Sequence, residues 1–357
     1  MVKIRVGIIG TGWGQLQIES FRRAHAFEVV ALCDVDAARL SDIAKRNKIE
    51  QTFTNYLDLV ARPDIDVVSI ASPPDLHLPM TQGAIAARKH VFVEKPAALQ
   101  IDDLRALQKA ADANRLVHAV DFEMRFLPAI AYCKELIDED YLGKLLRVDV
   151  TMGIDRPWGE HGNWAADAAR GGGILNELGA HFIDTMLWWF GDVDAVLAAT
   201  RTHFPIIKVP VLDEKLKETI LVKRPVTSDD SFWSILQFKR GGEALLNFVT
   251  GSRHDIGWTI AAYGETGTLV VQSGQLLGKR DADREIALLP IPKRLELGDN
   301  PKDPLMWGMA RLAENMAGKI HGDADAKAFP DFGDDIVVAR VVEAIRRASD
   351  TRAWVRV

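Results

Sequence analysis

The run Ile4-Arg-Val-Gly-Ile-Ile-Gly-Thr-Gly-Trp-Gly14 is a compact, β-branched apolar strand pattern that ends in a glycine-rich turn. A helical pattern follows through Leu16, Ile18, Phe21 and Ala24, and a second apolar run, Val29 to Cys33, closes on Asp34. Strand, glycine turn, helix and a strand ending in an acid make up the dinucleotide-binding unit, with the acid ~20 residues past the glycines. Gly10 permits the tight turn, Gly12 lets the backbone approach a pyrophosphate, and Thr11, Trp13 and Gly14 complete the cradle at the helix N-terminus. The third glycine of the usual pattern would fall at Gln15; Gly14 comes one residue early. Asp34 is expected to accept hydrogen bonds from the adenosine ribose and to repel a 2′-phosphate, so NAD is the expected cofactor. Arg39 softens that preference and leaves NADP open.

Outward from this unit the alternation repeats. Strand Val67 to Ala71 leads into Ser72-Pro-Pro-Asp-Leu-His77, and strand His90 to Val93 stops abruptly on Glu94-Lys-Pro96. Helices are expected between the strands, and strand Leu116 to Val120 closes the series. Repeated strand–helix units predict a doubly wound parallel sheet with helices on both faces, an α/β fold of Rossmann type. The loops 10–15, 34–36, 72–77 and 94–96 then share the carboxyl edge, where such sheets bind ligands. Ser72, Pro73, His77, Glu94 and Lys95 are therefore expected around the cofactor. The character of the chain changes after Val120, giving a dinucleotide-binding domain over 1–122 and a second domain over 123–357.

The second domain reads as α+β, with a large, mainly antiparallel open sheet. Strands are expected at 145–152, 193–200, 231–238, 244–250, 259–263 and 268–271, and helices at 304–317 and 333–348. The segment 203–229 is long, charged and weakly patterned, and reads as an excursion or subunit arm. Region 155–170 has loop composition with Trp158, His161 and Trp164, aromatic groups suited to the apolar face of a sugar ring. Then comes Arg170-Gly-Gly-Gly-Ile-Leu-Asn-Glu-Leu-Gly-Ala-His-Phe-Ile-Asp184, helical from Ile174 onward. Glu177, His181 and Asp184, at i, i+4 and i+7, are expected on one stripe of one helix. A His between carboxylates on a mostly apolar helix is costly unless it is used or paired. Gly179, in mid-helix, points to close approach by another element.

Composition narrows the function. The 357 residues exceed what one core comfortably organises, and the net charge of −6 argues against nucleic acid as a partner. No run is apolar enough for a membrane span, and the two cysteines, Cys33 and Cys133, suggest no disulfide framework. A cytoplasmic location fits. With no Cys cluster and no His-Glu-x-x-His, a metal site is not expected. A broad sheet covered by helices on one face leaves the other in need of a partner, which implies a homodimer or homotetramer formed through that sheet.

Assembled, the chain resembles the glucose–fructose oxidoreductase and inositol dehydrogenase family, Gfo/Idh/MocA. The resemblance rests on Gly10-Thr-Gly12, Ser72-Pro73 with His77, Glu94-Lys95-Pro96, Arg125-Phe126, the helix from Gly171-Gly-Gly173 to His181 and Asp184, and Gly264-Glu-Thr-Gly267. It implies an NAD(P)-dependent dehydrogenase or reductase acting on a secondary alcohol or ketone of a sugar, cyclitol or related polyol. Lys95 corresponds to the family's active-site lysine and His181 to its catalytic histidine, the base that takes the hydroxyl proton. Glu177 stands where the family commonly has Asp and is expected to orient His181 or Lys95. Substrate contacts are expected from Arg125, Trp164, His181 and Asp184. Two other readings stay open: a regulator that binds NAD without chemistry, and a glycosidase that uses NAD transiently.

Overall fold

The computed structural model describes residues 2–155, 163–213, 218–280, 283–296, 304–323, 326 and 328–357. In chain order the elements are β1 (Ile4–Ile9), α1 (Gly14–Arg23), β2 (Phe27–Cys33), α2 (Ala37–Asn47), β3 (Gln51–Phe53), α3 (Tyr56–Val60), β4 (Val67–Ile70), α4 (His77–Ala86), β5 (His90–Val93), α5 (Ile101–Ala113) and β6 (His118–Val120). Then follow α6 (Pro128–Asp138), β7 (Leu145–Ile154), α7 (Ala180–Phe190), β8 (Val193–Arg201), β9 (Ile206–Asp213), β10 (Glu218–Pro225), β11 (Ser231–Phe238) and β12 (Glu243–Thr250). The chain ends with β13 (Gly257–Gly264), β14 (Gly267–Gln272), β15 (Gln275–Arg280), β16 (Ala287–Leu288), α8 (Pro304–Ile320), α9 (Phe332–Thr351) and β17 (Val355–Arg356). Among the described residues no helix is long and apolar enough to cross a membrane.

These elements form two compact units, Met1–Leu127 with Leu297–Ala339, and Pro128–Glu296 with Arg340–Val357. A single cut at 122 differs from this division, because α8 returns to the first unit. Its apolar stripe, Leu312, Ala313, Met316 and Ala317, is buried in one cluster with Ile18 and Phe21 of α1 and Leu32 of β2. Ser20 Oγ, on α1, donates to the Met306 carbonyl at 2.9 Å. The periodicity of α8 says that it has a face to bury and does not say against what.

In the first unit six strands run in the order β3-β2-β1-β4-β5-β6, each pair parallel. This is the dinucleotide-binding order, with the reversal of winding between β1 and β4. All four residues of β4 are buried, as in a central parallel strand, and its one polar residue, Ser69, donates its hydroxyl to Gln17 Oε1 at 2.6 Å. Asp36 caps α2 by accepting the Arg39 amide at 3.0 Å, and so fixes where the chain turns after the Asp34 strand tip.

The second unit holds a nine-stranded sheet in the order β16-β15-β14-β13-β7-β12-β11-β8-β17, antiparallel except where β7 pairs with β12. One face is buried through Val148, Val150, Phe232, Leu246 and Phe248. Phe182 of α7 packs edge-on against Phe248 and Trp258, at 5.1 and 5.5 Å between centroids. Residues of the other face include Trp233, Val249 and Tyr263, all exposed. The segment 203–229 contains the hairpin β9–β10, and Ile207, Val209 and Val226 bury against Ala166.

Candidate functional site

The glycine turn has the geometry that a dinucleotide needs. Gly10 adopts φ +92°, and a Cβ there would lie 2.6 Å from the Ala71 carbonyl oxygen. At Gly12 a Cβ would meet nothing within 4 Å, so the backbone at the start of α1 faces open space. Gln15, where the third glycine is missing, donates from Nε2 to the Gly12 carbonyl at 3.3 Å. Asp34 closes the far side of the turn. Its Oδ2 accepts the Thr11 amide at 2.7 Å and the Thr11 hydroxyl at 2.6 Å, and its Oδ1 accepts the Asp36 amide and Arg39 Nη2. Burial pushes the Asp34 carboxyl up, but the hydrogen bonds from Thr11 and Arg39 outweigh it and hold it below the usual range. Open space above Gly12 beside an ionised Asp34 fits the pyrophosphate and ribose of NAD.

Across β4, β5 and β6 the strand tips carry the other expected residues. Ser72 and Pro73 follow β4, and Glu94 and Lys95 follow β5. His77 lies under this edge rather than on it, 1% exposed, with both ring nitrogens on backbone carbonyls: Nδ1 2.7 Å from Pro96 O and Nε2 2.7 Å from Ser72 O. Burial pushes its imidazole below the ordinary range. Its part in the site is to hold the two loops together. Lys95 is 8% exposed and joined to Pro96 by a cis peptide, and the next amide, Ala97, donates to Asp335 Oδ2 at 2.8 Å. Glu94 accepts from Gln17 Nε2 at 3.2 Å and from Trp13, and the Ser69 hydroxyl donates to Gln17 Oε1 at 2.6 Å. Burial raises the Glu94 carboxyl, and raises its neighbour Asp121 further.

Asp121 escaped the sequence reading, although its signal matches that of Asp34 and Glu94: an acid directly after an apolar strand. Arg125 has its guanidinium on Asp334 Oδ1 at 2.8 Å, so part of its hydrogen-bonding capacity is already taken.

The second unit places the remaining candidates. Gly173 adopts φ +110° against Asp229, whose Oδ2 accepts the Leu175 amide at 2.8 Å and caps the helical segment. Leu175–Gly179 is a π turn in which the Ala180 amide donates to the Leu175 carbonyl five residues back, and α7 begins only at Ala180. Glu177 lies within this π turn, and His181 and Asp184 lie on the regular helix that follows it. His181 and Asp184, three apart on α7, are buried, and Glu177 is partly exposed. The close approach at Gly179 is made by Phe232, whose Cζ would lie 2.8 Å from a Cβ. Trp164 is half-buried in the short turn Trp164–Ala166. Trp158 and His161 lie outside the described residues. Among the described residues no group of three or more His, Cys, Asp or Glu side chains is placed to hold a metal ion.

Comparison with known proteins agrees with this geometry over nearly the whole chain. Residues 4–122 match the model of an oxidoreductase family with an NAD-binding Rossmann fold, Gfo/Idh/MocA, and residues 130–270 match that family's C-terminal domain. An uncharacterized oxidoreductase of Synechocystis sp. is 28% identical, over 99% of this chain and 96% of its own. Levoglucosan dehydrogenase of Pseudarthrobacter phenanthrenivorans is 25% identical, over 100% of this chain and 99% of its own. The solved structure of levoglucosan dehydrogenase in complex with NADH and L-sorbose shares the fold, with a TM-score of 0.87 at 22% identity and 99% of each chain covered. The chain therefore belongs to the Gfo/Idh/MocA family of NAD-binding oxidoreductases.

Proposed function

We propose that the protein is an NAD-dependent dehydrogenase or reductase acting on a secondary alcohol or ketone carbon of a sugar, cyclitol or related polyol. The observation that carries this reading is Lys95 at the carboxyl edge of an NAD-binding sheet, in a chain that also retains His181 on α7. Bound NAD supplies the hydride acceptor or donor, and the side chains manage the proton and the charge. His181 takes the proton from the hydroxyl being oxidised, since an imidazole titrates near neutral pH. Lys95 stabilises the negative charge that develops on that oxygen. Glu177 orients these groups, and Arg125, Trp164 and Asp184 contact the substrate. A sugar or polyol is favoured because a full-length relative is a levoglucosan dehydrogenase.

The exposed Trp233, Val249 and Tyr263 support a homodimer or homotetramer formed through the open sheet face. Two buried free thiols suit a reducing cytoplasm.

The test incubates the purified protein with NAD and a panel of cyclitols, hexoses and sugar acids while following NADH. Lys95→Ala and His181→Ala are expected to lose turnover by about 10²- to 10⁴-fold while still binding NAD. Normal turnover in either variant removes that residue from its role. Release of an aglycone without net NADH would replace the reading by the glycosidase. Binding of NAD with no turnover on any substrate would replace it by the regulator.

A further inference from the structure

Glu94 and Asp121 follow directly on Val93 and Val120, which are paired neighbours in parallel strands β5 and β6. The two carboxyls thus leave the sheet edge side by side, and the Asp121 amide donates to the Val93 carbonyl at 2.9 Å. Asp121 is fully buried, and no N–H or O–H among the described residues donates to either of its oxygens. Its polar neighbour is the Glu94 carboxyl. Glu94 differs from it in having donors. The Ser69 hydroxyl occupies Gln17 Oε1 and so turns the Gln17 amide NH2 toward Glu94, and Trp13 donates as well.

Two carboxylates in contact and out of water do not both ionise, so a proton between them resolves both the repulsion and the missing donor. Asp121 is then the neutral, donating partner and Glu94 the charged, accepting one. The other charged groups facing the pair are Lys95, which favours its ionised form, and Glu123, which opposes it.

The glycine turn and Asp34 lie at the tips of β1 and β2, on one side of the reversal in strand order, and Glu94 and Asp121 lie on the other. A dinucleotide with its adenosine at Asp34 crosses the reversal and brings its nicotinamide half to the β4–β5–β6 side. That ring is cationic in NAD+ and neutral in NADH.

We infer that Glu94 and Asp121 form a carboxyl pair that shares one proton in the free and NADH-bound protein and releases it to solvent when NAD+ binds. The pair thereby couples discrimination between the two cofactor forms to pH. The inference rests on the NAD-binding fold and is independent of the substrate and of the roles of Lys95 and His181.

The experiment titrates the full chain with NAD+ and with NADH between about pH 6 and about pH 9, with an indicator dye reading proton release. NAD+ affinity is expected to rise with pH by up to about tenfold per unit where the pair titrates, with a matching release of protons, while NADH affinity stays flat. Asp121→Asn keeps the shape and supplies a permanent N–H donor to Glu94. It is expected to abolish both the slope and the proton release while still binding NAD+. Equal pH slopes for the two cofactors in the wild type, or proton release retained in Asp121→Asn, would overturn the inference. Should Asp121→Asn fail to fold, the wild-type pH slopes and proton release decide together with an infrared measurement. The infrared carbonyl band of a neutral carboxyl in the free wild-type protein at neutral pH is a check that needs no variant, and its absence overturns the pair.

Discussion

The Nδ1 of His77 lies 2.7 Å from the carbonyl oxygen of Pro96, and through that bond the β4 loop grips the turn that carries Lys95. The other ring nitrogen reaches Ser72 O, so one buried imidazole serves two loops 19 and 5 residues away. Burial keeps the ring neutral with a single N–H, so one of these two contacts is a donated hydrogen bond; His77→Ala removes it together with the packing of the ring and is expected to cost about 1–3 kcal/mol in urea unfolding. NAD binding is expected to weaken with it, because the loops come apart. A variant with wild-type stability and NAD affinity would show that the loops hold themselves.

Asp34 has all its local partners on its own unit, Thr11, Asp36 and Arg39, and presents its charge at the β2 tip. Asp34→Ala is expected to weaken NAD by about tenfold, roughly one charged hydrogen bond, and to improve NADP. Arg39→Ala is expected to weaken NADP more than NAD. Fluorescence titration of both cofactors measures the ratios; ratios unchanged in both variants would place cofactor choice elsewhere.

The lowered Asp34 carboxyl also predicts a pH dependence of stability. The unfolded carboxyl titrates near ~3.9, and the folded one titrates lower. The unfolded chain therefore binds the proton first as pH falls. The stabilisation is complete above the unfolded value and is lost as pH falls through the folded one. The urea stability of wild type over Asp34→Asn is expected to hold at neutral pH and to shrink below about pH 4. A difference that stays constant through that range would show that the charge contributes nothing.

A methyl group at position 179 would sit 2.8 Å from the Phe232 ring, which is stacked on Phe248 at 4.8 Å between centroids. Gly179→Ala is expected to destabilise the protein by about 1–3 kcal/mol through overpacking. Shortening the ring in a Gly179→Ala, Phe232→Leu double variant should recover part of that loss, and thermal melts of the four proteins measure the coupling. Strict additivity would mean that the two sites do not press on each other.

Burial, with Asp34 adding to it, pushes the Cys33 thiol up to about 12, and burial pushes Cys133 up as well. The native protein is expected to resist thiol reagents at neutral pH and to expose both groups in denaturant. Rapid modification of either under native conditions would mean that the strand or helix around it opens readily.

Much of this molecule is legible in local pattern. Five of the six strands of the parallel sheet follow from alternating strand and helix periodicities, while the three-residue edge strand β3 is too short to show, and the cofactor edge follows from glycines and acids placed directly after apolar strands. Steric limits on φ and the period of side-chain burial act over a few residues, so the chain displays them openly. Strands β7, β8 and β11 to β14 of the second unit were readable for the same reason, whereas β9, β10 and β15 were not.

Other features depended on residues far apart in the chain. Arg125 meets Asp334 across 209 residues, and α8 closes the core under α1 from the other end of the sequence. The hairpin in 203–229 buries Ile207, Val209 and Val226 with Ala166, a partner some forty or more residues away in the chain. The π turn before His181 lies where Asp229 caps the helix and Phe232 crowds Gly179, and helical periodicity alone reads straight through it. Asp121 became notable only when strand pairing set it beside Glu94. An apolar stripe or a charge specifies what kind of neighbour it requires, and packing in three dimensions selects which neighbour that is.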